Sequence, residues 1–215
     1  MTRFEIPLFP LQAVLFPGGY LPLQIFEVRY LDMIARCQQA QMPFGAISLI
    51  EGGEVLRRKT SMTEGAGFVL ESFQPVGTLA HINAFERPQP GLVQVRCSGG
   101  QRFRVFDSER LPHGLWLAKV ELLADDPVVT VPDDLTHLAR ALQLLLHQLE
   151  QGAAAEDLPL QPPYLWTDST WLSNRWSELL PLAPAERQRF MQLDSPLLRL
   201  ELVADQLDRL GLSGH

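Results

Sequence analysis

The sequence predicts an α+β fold, in which a β-barrel with one inserted helix is followed by a C-terminal helical bundle. Residues 1–123 consist of short β-type runs separated by glycine and proline, whereas residues 124–215 carry leucines and tryptophans at helical spacing. The charge changes at the same point, from 12 basic and 11 acidic residues before it to 6 and 14 after it. We therefore predict two domains, 1–123 and 124–215.

The β-rich part contains several apolar or alternating runs with turn-forming residues between them. The candidate strands are 44–50, 67–73, 78–85, 91–98, 101–106 and 115–123. Many short strands of this kind favour a closed or nearly closed sheet, because closure leaves no unpaired edge. Gly99 and Gly100 separate two alternating runs, which predicts a two-residue hairpin turn at this pair.

The helical segments are indicated by apolar residues that recur every three or four positions. The inserted helix is predicted by one such stripe, formed by Phe26, Tyr30, Ile34 and Cys37. The first helix of the C-terminal part is predicted by a longer one, formed by Leu135, Leu138, Leu142, Leu145 and Leu149. Two later helices are expected to start after capping residues, which are Asp168 or Ser169 for one and Ser195 for the other.

The composition is that of an ordinary globular protein. Of 215 residues, 46% are hydrophobic and 20% are charged, and the net charge is −7. An acidic chain is a poor match for nucleic acid or a membrane surface, so we expect neither as a partner. A signal peptide would need an apolar core, which is interrupted here by Glu5, Pro7 and Pro10. The two cysteines of the chain are too few for a disulfide framework. We expect a cytoplasmic protein.

The sequence lacks the motifs of a phosphate-binding loop, a serine-hydrolase nucleophile elbow and a histidine metal site. Neither of the two lysines, Lys59 and Lys119, follows a glycine as a phosphate-binding loop requires, and no G-x-S-x-G string occurs. The five histidines show no metal-ligand spacing. We therefore expect no cofactor, no metal and no enzymatic activity, and we interpret the basic run at residues 57–59 as a solvated loop tip.

Two alternatives to a binding protein stay open at this stage. A small cysteine hydrolase would use Cys37 or Cys97, although both occupy inward positions of their predicted elements, where thiols are inert. An RNA-binding module would have to overcome the net negative charge, because RNA affinity depends largely on phosphate neutralisation.

Aromatic residues beside turns and connectors are the candidate contacts for a protein ligand. Large aromatics are preferred anchors at binding interfaces, and loops carry them to the surface. The candidates chosen on this ground are Phe16, Tyr20, Phe73 and Trp166. We expect them to border a groove where the β-rich and helical parts meet.

Ordered strings along the chain resemble the Lon N-terminal domain family, and in particular its stand-alone members. They include residues 6–11 (IPLFPL), 14–18 (VLFPG), 25–30 (IFEVRY), 76–80 (VGTLA), 102–103 (RF) and 116–120 (WLAKV). The residues that carry the motif are Pro10, Phe16, Pro17, Gly18, Phe26, Glu27, Arg29, Tyr30, Gly77, Arg102 and Phe103.

The resemblance implies a PUA-like β-barrel followed by helices, acting as a substrate-recognition module without the ATPase and protease parts of Lon. It implies that the partners are proteins or unfolded polypeptide segments. The RNA-binding alternative also comes from this resemblance, because PUA-like folds elsewhere bind RNA.

Overall fold

The computed structural model describes residues 3–51 and 71–212. The chain forms two compact units, one made of residues 1–17 and 21–124 and the other of residues 18–20 and 125–215. The predicted strand at 67–73 is described only from residue 71 onward, and the basic run at 57–59 lies outside the described residues.

The first unit is built on seven strands and one helix. The strands are β1 (Arg3–Leu11), β2 (Tyr20–Ile25), β3 (Phe44–Glu51), β4 (Ser72–Phe73), β5 (Val76–Gln89), β6 (Leu92–Arg110) and β7 (Trp116–Leu122), and the helix is α1 (Val28–Ala40). Their order in the sheet is β1-β7-β6-β5-β3-β4, with β2 paired to β6. A parallel pairing of β1 with β3 joins the two sides, so that five strands form a closed ring. The prediction of a sheet-rich part with one inserted helix is confirmed.

The prediction of a hairpin turn at Gly99 and Gly100 is wrong, because β6 runs through this pair without reversing. The glycines are needed for close packing instead. A Cβ on Gly99 would lie 2.0 Å from the carbonyl oxygen of Phe16, and one on Gly100 would lie 2.5 Å from Nε2 of His81. The pairing register with β5 shifts at this point, as at a bulge. The actual turn between β5 and β6 contains Gly91, which has a φ of +79°.

Helix α1 packs one face into a core cluster of the first unit. Tyr30, Met33, Ile34 and Cys37 are buried in that cluster, as the spacing of three of them predicted. Phe26 is a correction to the predicted stripe, because the helix starts only at Val28 and the Phe26 side chain is 59% exposed.

The second unit contains four α-helices within the described residues. They are α2 (Thr136–Glu150), α3 (Ser169–Leu179), α4 (Pro184–Gln192) and α5 (Pro196–Arg209). The predicted caps are confirmed, since the Asp168 carboxylate accepts a hydrogen bond from the Thr170 N–H and the Ser195 hydroxyl accepts one from the Leu198 N–H. The helical prediction for this half of the chain is therefore confirmed.

A buried arginine joins three helices and a connector of the second unit. The Arg199 guanidinium of α5 donates to the Asp126 carboxylate at 2.8 Å, to the Asn174 side chain of α3 at 2.7 Å and to the Phe190 carbonyl of α4 at 2.9 Å. The side chain is 1% exposed. The buried charge is therefore paired and hydrogen-bonded, and removing either partner would leave the other buried and unpaired.

Candidate functional site

A groove of about 490 Å³ lies along α1 in the first unit, and we call it the α1 groove. Its other walls are β1, β7 and the turn between β6 and β7. Pro7 and Leu117 face it as paired residues of β1 and β7. Further apolar lining comes from Met33, Leu111 and Leu115. The chemistry of the groove is therefore that of a hydrophobic binding surface.

Two large apolar side chains stand exposed at the ends of this groove. Val28, the first residue of α1, is 73% exposed, and Met42, just after the helix, is 56% exposed. Both line the α1 groove. Exposed apolar side chains grouped around a concave apolar surface are typical of a protein-interaction site, whereas isolated ones are not.

Charged and polar side chains border the apolar lining. Asp32 and Arg36 follow Val28 at successive spacings of four along α1, and His113 stands on the β6–β7 turn. All three are exposed, and none makes a hydrogen bond or ion pair with the parts of the chain that the structure describes. They remain available to a ligand.

The turn that forms one wall is held to α1 by Arg29. Its guanidinium donates to the Gly114 carbonyl at 2.8 Å, to the Glu71 carboxylate at 3.2 Å and to the Glu27 carboxylate at 3.1 Å. Glu71 also accepts from the Trp116 indole N–H at 2.7 Å. Two of the motif residues, Glu27 and Arg29, therefore act by fixing the groove wall.

The neighbouring motif residue, Tyr30, anchors α1 on the sheet. Its ring stacks on Phe9 with 4.1 Å between centroids, and the Arg29 guanidinium carbon lies 4.3 Å from the ring centroid. Burial raises the pKa of the Tyr30 hydroxyl above its ordinary value. The phenol is therefore neutral at physiological pH and serves packing.

Both cysteines are buried free thiols. Desolvation raises the pKa of Cys37, and it raises the pKa of Cys97 to about 12 with a smaller contribution from Cys37. A nucleophilic cysteine needs the opposite shift, because the thiolate is the reactive form. The geometry therefore weighs against the hydrolase alternative.

Two further observations concern residues 3–51 and 71–212, the part of the chain that the structure describes. No group of three or more His, Cys, Asp or Glu side chains there is arranged to hold a metal ion. Within the same ranges, no helix has both the length and the hydropathy needed to cross a lipid bilayer.

The four aromatic residues predicted as contacts differ in exposure. Phe16 is 0% exposed, so its side chain has no surface to offer a ligand and we withdraw it from the site. Phe73 is half-buried and meets Trp116 edge-to-face at 5.3 Å. Trp166 is half-buried, 5.0 Å from Trp171, and Tyr20 is half-buried at the start of β2. The last three stay proposed contacts, but none of them is among the residues described as lining the α1 groove.

Six of the motif residues outside α1 occupy structural positions. Gly77 lies so close to β3 that a Cβ would stand 2.5 Å from the Ala46 carbonyl oxygen, and Phe103 is fully buried beside it. Gly18 adopts a φ of +69°, and its carbonyl accepts a hydrogen bond from Arg175. Pro10 and Arg102 are buried, and Pro17 is half-buried.

Of the residues that line the α1 groove, the sequence indicated Arg29 as a motif residue and Cys37 as part of the buried stripe, but it did not indicate Val28 or Met42. Val28 lies outside the buried stripe of the helix, and an exposed valine there is a weak signal taken alone. The β6–β7 turn is about 80 positions away in sequence, so no local pattern links it to α1. The groove lies wholly within the first unit, whereas the sequence-based hypothesis placed the site where the two parts meet.

Comparisons with known proteins agree with this fold. A family model described as the ATP-dependent protease La (LON) substrate-binding domain matches residues 5–209. Among solved structures, a Lon N-terminal domain protein from Xanthomonas campestris matches with a TM-score of 0.69 and 26% identity, over 94% of this chain and 98% of that one. The N-terminal domain of the Mycobacterium avium complex Lon protease matches with a TM-score of 0.58 over 95% of this chain and 98% of that one; at 15% identity it supports the fold alone.

Two curated relatives match over part of their own length. Protein cereblon of Gallus gallus is 26% identical over 167 residues, which are 76% of this chain and 31% of that protein. Protein cereblon of Danio rerio is 29% identical over 147 residues, which are 66% of this chain and 30% of that protein. The chain thus spans about a third of the length of these relatives. The family match from residue 5 to residue 209, together with the shared fold, shows that the chain belongs to the Lon substrate-binding domain family.

Proposed function

We propose that this protein binds exposed apolar segments of other polypeptides in the α1 groove and does not transform them chemically. The observation that carries the proposal is the apolar groove with Val28 and Met42 exposed at its ends. Membership of a substrate-binding family supports the same class of ligand.

The dimensions of the groove suit a few side chains of a peptide. Its volume of about 490 Å³ falls within the range of natural ligand pockets. Burying a Leu or Phe side chain contributes about 1.5–3 kcal/mol, and association costs about 4–15 kcal/mol in lost freedom. Three well-buried side chains contribute up to about 9 kcal/mol, which exceeds only the lower part of that cost. Binding is therefore expected to be weak and reversible, which is suited to sampling many unfolded chains.

The groove has no machinery for covalent chemistry among its lining residues. Among the residues described as lining the groove, Cys37 carries the nucleophilic side chain, and burial raises the pKa of its thiol. The exposed His113 and Asp32 make no hydrogen bond to a nucleophile in the described parts of the chain. This arrangement supports binding without turnover.

The test is capture of a chemically denatured model protein by the immobilised chain. Replacing both exposed groove residues with aspartate (Val28→Asp with Met42→Asp) should weaken capture at least tenfold, because charge cannot be buried with an apolar ligand. The matched control places aspartate at two exposed apolar positions of the second unit, Val128 and Leu144, which are 88% and 65% exposed.

The control variant should capture the denatured protein within twofold of the unmodified chain. Far-ultraviolet circular dichroism of both variants establishes that they are folded. Equal capture by the groove variant and the control variant would reject the α1 groove as the binding site.

A further inference from the structure

A second groove lies on the other flank of α1, and we call it the β5–β6 groove. It has a volume of about 520 Å³ and is formed by α1 and the turn between β5 and β6. Leu31 and Ala35 line it from the helix, and Pro88, Pro90 and Val93 line it from the strands and their turn. Its lining is therefore largely apolar, like that of the α1 groove.

Asp32 is the residue that lines both grooves. Along α1 it belongs to the row Val28, Asp32 and Arg36 on one side and neighbours Leu31 and Ala35 on the other. Its carboxylate is exposed and has no hydrogen bond or ion pair to the described residues. It therefore stands on the ridge that separates the two grooves.

The two grooves differ in which charged residues line them, and Asp32 is shared. Asp32 is the sole acidic residue among those described as lining either groove. Arg36 lines the α1 groove one helical turn from Asp32 on the same row of α1, and Arg87 lines the β5–β6 groove. Arg29 adds no free charge, because it is ion-paired with Glu27 and Glu71. A ligand that crosses the ridge thus meets at Asp32 the one negative charge among the residues described as lining either groove.

We propose that the two grooves bind one extended polypeptide segment with two apolar clusters and a basic residue between them, which faces Asp32. This inference rests on the proposed function, and it specifies which polypeptide segments the protein selects. Each cluster fills one groove, and the lysine or arginine between them pairs with the carboxylate on the ridge. Occupying both grooves with one chain makes the second contact intramolecular, which strengthens binding without any additional contact.

The dimension of the helix sets the spacing of the two clusters. An α-helix with its side chains is about 10–12 Å across, and an extended chain advances about 3.3–3.6 Å per residue. A linker of about three residues therefore spans the ridge. The basic residue is the central one of the three.

The test uses fluorescence anisotropy with labelled synthetic peptides and the full chain. The reference peptide has two Leu-Phe-Leu clusters joined by Ser-Lys-Ser. In the second peptide Glu replaces the central Lys, and in the third Ser residues replace one cluster. We expect the reference peptide to bind at least tenfold more tightly than the one-cluster peptide. We expect it to bind about threefold more tightly than the Glu peptide at low salt, since an exposed ion pair contributes modestly.

Charge reversal at the ridge provides the matched control. The Asp32→Lys variant should prefer the Glu peptide to the Lys peptide by a similar factor and should keep its preference for two clusters. Equal affinity of the one-cluster and two-cluster peptides would overturn the inference and leave the proposed function intact. An Asp32→Lys variant that still binds the Lys peptide more tightly than the Glu peptide would also overturn the inference and leave the proposed function intact. Failure of the unmodified chain to bind any peptide or any denatured protein would overturn both.

Discussion

The Arg29 guanidinium lies 3.2 Å from the Glu71 carboxylate, and the two side chains are 3% and 2% exposed. Around this pair, the Gly114 carbonyl and the Trp116 indole complete a network of hydrogen bonds. The pair therefore joins the start of α1 to the turn that forms a wall of the α1 groove. An ion pair buried to this degree is costly to break, because removing one charge leaves the other unpaired.

Replacing Arg29 with methionine should lower the free energy of unfolding by about 3–5 kcal/mol, because the Glu71 carboxylate then stays buried without its counter-charge. Equilibrium urea unfolding measures the change. The matched control is Arg96→Met, which removes an exposed ion pair with Glu86 and should cost less than about 1 kcal/mol. Similar losses in the two variants would contradict the structural role assigned to Arg29.

Replacing Gly77 with alanine should destabilise the protein by about 1–3 kcal/mol, since overpacking displaces neighbouring groups. The added Cβ would stand 2.5 Å from the Ala46 carbonyl oxygen and 2.6 Å from Cζ of Phe103. Thermal unfolding followed by circular dichroism measures the effect. Gly152→Ala is the control, because its nearest neighbour would be 3.9 Å away, and an unchanged midpoint is expected there. A Gly77→Ala protein as stable as that control would refute the close packing of β5 on β3.

Stability should fall at alkaline pH in part because of Cys97. Burial raises the pKa of this thiol from 9.0 to about 12, so the folded chain holds the proton more tightly than the unfolded chain. The stabilisation is complete below pH 9 and is lost as the pH rises from about 9 to 12, by up to about 1.4 kcal/mol per pH unit.

A Cys97→Ala variant tests this contribution. Its free energy of unfolding should be lower near neutral pH, and the curve should fall less steeply above pH 9 than that of the unmodified chain. Urea unfolding at intervals between pH 7 and 11 provides the comparison. Parallel curves for the two proteins would show that this thiol does not contribute to the alkaline loss of stability.

Local signals predicted the helical elements better than they predicted the turns. Asp168 and Ser195 cap helices because a short polar side chain before an apolar stripe satisfies free N–H groups within one turn. The Gly99–Gly100 pair misled the strand assignment, since glycine permits both a turn and a close approach of backbones. What decides between these two roles is the close approach of Gly99 to the Phe16 carbonyl oxygen. This is a tertiary contact, which the local sequence does not show.

The binding site was less predictable than the fold for the same reason. The α1 groove depends on the contact between a helix at residues 28–40 and a turn near residue 114, held by Arg29. The sequence of neither segment alone predicts this contact. Aromatic residues near turns indicated candidate contacts, but Phe16 shows that a position beside a turn does not ensure exposure.

Binding in the α1 groove is tested most directly by locating where an unfolded chain contacts this protein. A photo-crosslinking amino acid placed at Met42, 56% exposed in the α1 groove, should form covalent adducts with a denatured model protein and few with its folded form. The same group placed at Leu144, 65% exposed on α2, should give few adducts with either form. Equal yields of adducts at the two positions, or adducts from position 144 alone, would contradict binding in the α1 groove.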